Sequence, residues 1–128
     1  MDAQRDRLNF VIATWEGGGS VGPALTVARK LRERGHGVRV MSDGCNRFEA
    51  ESAGARFVPW TRAPSRADRS RESDIFRDWE LDTPQAQIQR VLERIWAGPA
   101  QAYPEDVIQE LEREPADLGV SSEMLFGV

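Results

Sequence analysis

The chain is poor in the residues that build disulfides and metal centres. Its 128 residues include one cysteine, Cys45, and one histidine, His36. A lone cysteine closes no internal disulfide, so a reducing, cytoplasmic setting is the expectation. One Cys and one His also argue against a zinc centre of the usual kind. Positive charge is short as well: 17 Lys and Arg against 21 Asp and Glu give a net charge of −4, which speaks against a nucleic-acid partner. No apolar run approaches the roughly 20 residues needed to cross a bilayer. The opening MDAQRDRLNF has no signal-peptide core, so no membrane association is expected. What remains is an ordinary globular composition of about one domain in size, 30% charged and 40% apolar.

Phe10, Val11, Ile12 and Ala13 form a continuous apolar run, as in a parallel strand buried on both faces. The glycine-rich stretch from Gly17 to Gly22 interrupts it, and Pro23 suits the first turn of a helix. Leu25, Ala28 and Leu31, with Val27 beside them, make one helical face. Gly35 is the expected stop. Val38, Val40 and Met41 read as a second strand, residues 46–53 as a short helix and Phe57-Val58 as a third strand. Strand–helix–strand–helix–strand at this spacing implies right-handed crossovers and a parallel sheet. Residues 61–82 are highly charged and too long for a simple connection, which marks a functional loop able to reach over the sheet's carboxyl edge. Its arginines, Arg62, Arg66, Arg69, Arg71 and Arg77, alternate with acids and read as a solvated face.

Thr83-Pro84 restarts helix with Thr83 as N-cap. Ile88, Val91, Leu92, Ile95 and Trp96 stand at i, i+3, i+4, i+7 and i+8, the pattern of a core-facing stripe. Gly98-Pro99 breaks it. A further helix opens near Pro104 with Val107, Ile108 and Leu111 as its apolar face, and Leu118–Val120 supplies a fourth strand. The fold expected is α/β: a Rossmann-like, doubly wound parallel sheet of order 3-2-1-4 with flanking helices. An apolar MLFGV after only four strands leads to the expectation of the first part of a longer protein, or a truncated relative of one.

A glycine loop between strand and helix aims backbone N–H groups at a ligand. Gly17, Gly19 and Gly22 satisfy G-x-G-x-x-G, and Asp43 follows at the end of the second strand, where an acid holds a ribose hydroxyl in dinucleotide-binding folds. This NAD-binding reading is weakened by Trp15 and Glu16, which separate strand from glycines, and by the long loop that breaks the βαβ rhythm.

The segment GGGSVGPALTVARKLRERGHGVRVMSD resembles the opening of GT-B glycosyltransferases, in particular those that decorate bacterial antibiotics and other natural products. Its L-x-x-R-G-H-x-V turn stands here as Leu31, Arg34, Gly35, His36 and Val38. The similarity continues through AESAGARFVPW (50–60), FRDWE (76–80) and EPADLGVSSEMLFG (114–127), and so covers almost the whole chain. It implies that residues 1–128 are part of an N-terminal acceptor-binding domain, an incomplete half of the GT-B fold, with 61–82 as a long acceptor-side loop and the nucleotide-sugar domain absent. The reaction implied is transfer of a sugar from a nucleotide-diphosphate sugar to a hydroxyl of a small-molecule aglycone, with inversion and without metal or other cofactor. The fragment alone is then inactive. The implied partners are the aglycone and either a second copy of the chain or a complete transferase.

The family's catalytic His, three residues before the helix-opening Pro, is replaced here by Ser20. The Asp expected after the fourth strand is replaced by Ser121, Ser122 and Glu123. Ser20 and Glu123 are therefore the catalytic candidates, with Glu16, Asp74 and Asp78 as other substitute bases. An unactivated serine is a poor base, and helix capping is the competing role for Ser20. His36 belongs to the turn and reads as structural. For acceptor binding the candidates are Trp15, Glu16, Gly18, Gly19, Phe76, Asp78, Trp79 and Met124, since aromatic and apolar groups near strand ends suit a flat aglycone. Core packing competes with this role, most strongly for Met124 and for Trp60. The missing His and Asp keep open a non-catalytic reading, an aglycone-binding or helper module.

Overall fold

The computed structural model describes residues 6–17, 19–122 and 125. Four parallel strands, β1 (Asn9–Ala13), β2 (Gly37–Ser42), β3 (Arg56–Pro59) and β4 (Leu118–Ser121), make one sheet of order β3-β2-β1-β4. This is the expected order. β1 pairs on both edges: Val11 lies opposite Arg39 of β2 and Gly119 of β4.

Period-two alternation splits the strands between two cores. On one face Phe10, Ile12, Val38, Val40 and Phe57 pack against Leu25 and Ala28 of α1 (Val21–Glu33) and Ala50 of α2 (Arg47–Ser52). On the other, Val11, Ala13 and Met41 meet Trp60, Ala63, Leu125 and Tyr103 of α4 (Ala102–Arg113). Every residue of β2 is buried, as a central parallel strand covered on both sides requires. Its Arg39 is only 4% exposed. The guanidinium is held by Glu110 at 2.9 Å and by the Glu114 main chain, while Arg56 pairs with the Glu114 carboxylate.

α1 ends as the sequence predicts. Gly35 takes φ +89°, and the Gly35 and His36 amides return to Arg32 and Leu31 carbonyls at 2.9 and 3.1 Å, the paired bonds of a Schellman turn. His36 is structural here: its Nδ1 accepts the Leu8 N–H at 3.2 Å and its ring meets the edge of Phe10.

Two expectations are corrected. The stripe from Ile88 to Trp96 is not core-facing. No residue of α3 (Pro84–Val91) is buried, and Ile88 is 63% exposed. α3 lies on the long loop rather than on the sheet, with Arg90 donating to the Phe76 and Arg77 carbonyls and Arg94 to that of Ile75. It widens into a π turn over Leu92–Trp96, closed by the Ala97 N–H on the Leu92 carbonyl at 2.7 Å. Gly98 follows because a Cβ there would overlap the Glu93 carbonyl. The second correction concerns α4. Its Ile108 is 55% exposed, whereas Asp106 and Glu110 are buried, because the helix turns its carboxylates toward Arg39 and toward the loop after β3. Thr83 does cap α3, accepting the Ala86 N–H at 3.2 Å.

Candidate functional site

The carboxyl ends of β1 and β2 open into a cavity of about 270 Å³. Its floor is the glycine loop (Trp15, Glu16, Gly17). One wall is the long loop (Arg66, Asp74, Ile75, Phe76, Asp78), and the far side comes from Arg94 and Ile95 of the π turn and Tyr103 of α4.

Each surface is fastened by a specific interaction. The Trp15 ring covers Gly17 so closely that a Cβ at 17 would run into it. Gly19 takes φ +71°, a conformation that costs glycine nothing. The long loop is anchored at its start by Asp106, whose carboxylate accepts the Thr61, Arg62 and Ala63 amides and the Thr61 hydroxyl at 2.8–3.0 Å. Burial raises the Asp106 pKa, but these bonds outweigh it and leave the carboxyl below its ordinary value. Farther along, Arg69 reaches Asn46 at 2.7 Å, Glu49 at 2.8 Å and Glu16 at 3.4 Å.

Asp43 lies between the two loops. It is 2% exposed, and its two oxygens accept the Glu16 N–H and the Arg66 N–H, each at 2.8 Å. Burial raises its pKa, against the lowering by these two bonds. Both oxygens are committed to main-chain amides, so neither faces a ribose. The dinucleotide reading loses its acidic residue on this geometry.

The cavity brings together Trp15, Glu16, Phe76 and Asp78 from the expected acceptor set, and Asp74 with them. Trp79 stands outside it, its ring under the Arg71 guanidinium at 4.3 Å. The intervening Asp78–Glu80 turn carries Trp79 away from the wall to which Phe76 belongs. Gly19 is exposed and does not line the cavity. Gly18, Glu123 and Met124 lie outside the described residues. Trp60 is core, donating from its indole to the Thr14 carbonyl at 3.1 Å and meeting Tyr103 edge-on.

Ser20 occupies the N-cap position of α1 without capping it. A cap side chain accepts from the second or third helical N–H, and the third helical residue is Pro23, which has none. The hydroxyl instead donates to the Trp15 and Gly17 carbonyls at 3.1 and 3.3 Å and lies 3.1 Å from Thr14 Oγ1. Ser20 is not among the residues lining the cavity.

Sequence reasoning missed Arg66, Ile75, Arg94, Ile95 and Tyr103 as cavity residues. Tyr103 carried one signal, being the chain's single tyrosine. Burial pushes its phenol well above the ordinary range, so it remains a neutral hydroxyl. Burial, with the nearby Glu16 and Asp43 carboxylates, pushes the Cys45 thiol up to about 11, which removes it as a nucleophile near neutrality. Among the described residues, no group of three His, Cys, Asp or Glu side chains is placed to hold a metal ion. No helix among them is long and apolar enough to cross a membrane.

No protein-family model matches the chain. A curated relative, 4'-demethylrebeccamycin synthase of Lentzea aerocolonigenes, is 32% identical over 117 residues, which cover 91% of this chain and 28% of the relative. Among solved structures, a kitacinnamycin glycotransferase superposes with a TM-score of 0.65 at 21% identity, over 94% of this chain and 26% of its own length. A calicheamicin glycosyltransferase gives 0.67 at 24% identity, over 91% and 27%. The chain thus spans little more than a quarter of the proteins it matches. The curated likeness carries the sequence and the two superpositions carry the fold. On both together, the chain is similar to a portion of the natural-product glycosyltransferases and shares the GT-B sheet of the two solved structures.

Proposed function

We propose that these residues form the acceptor-binding part of an inverting glycosyltransferase, an N-terminal domain whose substrate is a small, flat, hydroxyl-bearing aglycone. The observation that carries this reading is the cavity above the glycine loop. It is lined by Trp15, Ile75, Phe76 and Tyr103, with the acidic residues Glu16, Asp74 and Asp78 among them. Aromatic walls with a few polar groups suit an aglycone, and a carboxylate is the available base for its hydroxyl. Glu16, Asp74 and Asp78 are the candidate bases among the described residues, and Ser20 shapes the loop through its carbonyl contacts. Glu123 and Met124, with Gly18, remain candidates on the family resemblance.

The donor in this reading is a nucleotide-diphosphate sugar, held by a domain outside these residues. No metal or other cofactor takes part, and the setting is cytoplasmic. A second copy of the chain or a complete transferase is the expected protein partner. The outer edge of β4 supports such pairing, since it has no neighbouring strand among the described residues and exposes Leu118 and Val120. A second reading, a non-catalytic aglycone-binding or helper module, is favoured by one observation: the side chain of Ser20, where the family resemblance implies the catalytic His, is bonded to loop carbonyls and Thr14.

The test is a titration of the chain with 1-naphthol, read at the Trp15 indole N–H by NMR. Saturable binding that Phe76→Ala abolishes is expected. Adding a nucleotide-diphosphate glucose is expected to yield no glycoside. Absence of binding overturns the acceptor assignment, and glycoside formation overturns the placement of the donor site in another domain.

A further inference from the structure

Asp43 is used by no step of the reading above, yet it sits where the cavity's two surfaces meet. The long loop has two other fastenings near this point: the Gly44 N–H on Ser65 Oγ at 2.9 Å and the Cys45 N–H on the Arg66 carbonyl at 2.8 Å. Both tie the long loop to the turn after β2, and neither reaches the glycine loop. Among the described residues, two groups make that connection. One is Arg69, half-exposed, at 3.4 Å from Glu16. The other is Asp43, buried, with one oxygen on each loop's main chain at 2.8 Å. A carboxylate suits the position because it offers two acceptors and no donor. An amide of the same shape offers one acceptor and sets its NH2 against the other loop's N–H.

We propose that Asp43 is the positioning residue of the acceptor cavity: its carboxylate clips the glycine loop to the long loop and so sets the separation of the Trp15 floor from the Phe76 wall. This role rests on the acceptor reading of the cavity. It differs from the role of Asp106, which anchors the same long loop at its start without touching the glycine loop.

The experiment compares Asp43→Asn with Asp106→Ala in the whole chain, by amide hydrogen exchange and by 1-naphthol titration. In Asp43→Asn, exchange at Glu16 or Arg66 is expected to rise about tenfold, with a fall of similar size in naphthol affinity. The β1 and β2 amides are expected to exchange as in the parent. In Asp106→Ala, exchange is expected to rise at Thr61–Ala63 while the Glu16 and Arg66 amides exchange as in the parent. The parent chain supplies a second measurement that needs no variant to fold: couplings across the hydrogen bonds from the Glu16 and Arg66 amide nitrogens to the Asp43 carboxyl carbon. Their absence overturns the clip. Unchanged naphthol affinity in Asp43→Asn, or a uniform rise of exchange throughout the sheet, overturns the positioning role alone. A parent chain that does not bind naphthol overturns the acceptor reading, and this role with it.

Discussion

Removing Asp106 isolates what one buried carboxylate contributes to a charged surface loop. Asp106 is 4% exposed, and it accepts three successive amides and a hydroxyl from Thr61–Ala63. In Asp106→Ala these donors fare differently. Ala63 is buried, so its N–H loses a partner with no water to replace it, at about 2 kcal/mol. Thr61 and Arg62 are exposed, and their amides exchange a charge-assisted bond for water at about 0.5 kcal/mol each. The expected loss is therefore about 3 kcal/mol, a fall in Tm of about 10 °C for a chain of this size. Asp106→Asn retains one acceptor oxygen, and the Thr61 hydroxyl can turn to accept from the new amide, so its loss is expected to be about 1 kcal/mol. The pH dependence has a definite sign. The folded pKa of Asp106 lies below its ordinary 3.8, so its stabilisation is complete above the unfolded value and is lost as pH falls through the folded one. Urea unfolding of parent and Asp106→Asn at neutral pH and in acid checks this: the gap between them should close in acid. A loss under about 1 kcal/mol for the Ala variant, or a gap that stays constant into acid, refutes the reasoning.

Two further predictions follow from buried groups. Arg39→Met leaves the Glu110 carboxylate buried, facing the exposed Arg56 and Arg113, and should cost about 3–5 kcal/mol by urea unfolding; replacing Glu110 by Leu as well should recover most of that loss. With its pKa raised from 9.0 to about 11, Cys45 should react with iodoacetamide near neutral pH about 100-fold more slowly in the folded than in the unfolded chain, since only the thiolate reacts. Equal rates would contradict the burial described for it.

The half of the fold from β1 to β3 was legible because its sequence is locally consistent. Phe10–Ala13 can only be a doubly buried strand, Gly35 stops α1 where the chain must turn, and crossover handedness then fixes the sheet order. The later half misled because a helical stripe states which side is apolar and not what lies opposite. The Ile88 stripe found a charged loop beneath it, and α4 buried two carboxylates because Arg39 and three loop amides supplied partners from 43 to 71 residues away. The same limit governed the site. Trp15, Glu16 and Phe76 were recognisable from loop position and residue type. Asp43 stayed open as a ribose contact within the weakened dinucleotide reading, because an acid after β2 looks alike whether its oxygens face solvent or two backbone amides. Ser20 was weighed as a helix cap, yet Pro23 three residues on had already removed one of the donors that a cap needs.

That proline has a consequence for what the glycine loop can hold. A helix start attracts phosphate through several inward-pointing amides acting together. Here the Ser20 amide is spent on Gly17, Pro23 has none, and the Ala24 amide is spent on Ser20. Of the described amides at the start of α1, those of Val21 and Gly22 are left over. The end of α1 is thus a shallow electrostatic socket, too sparsely furnished to compete for a diphosphate. A nucleotide would find little reason to lodge there, and a neutral ring system resting on Trp15 would lose nothing by the lack.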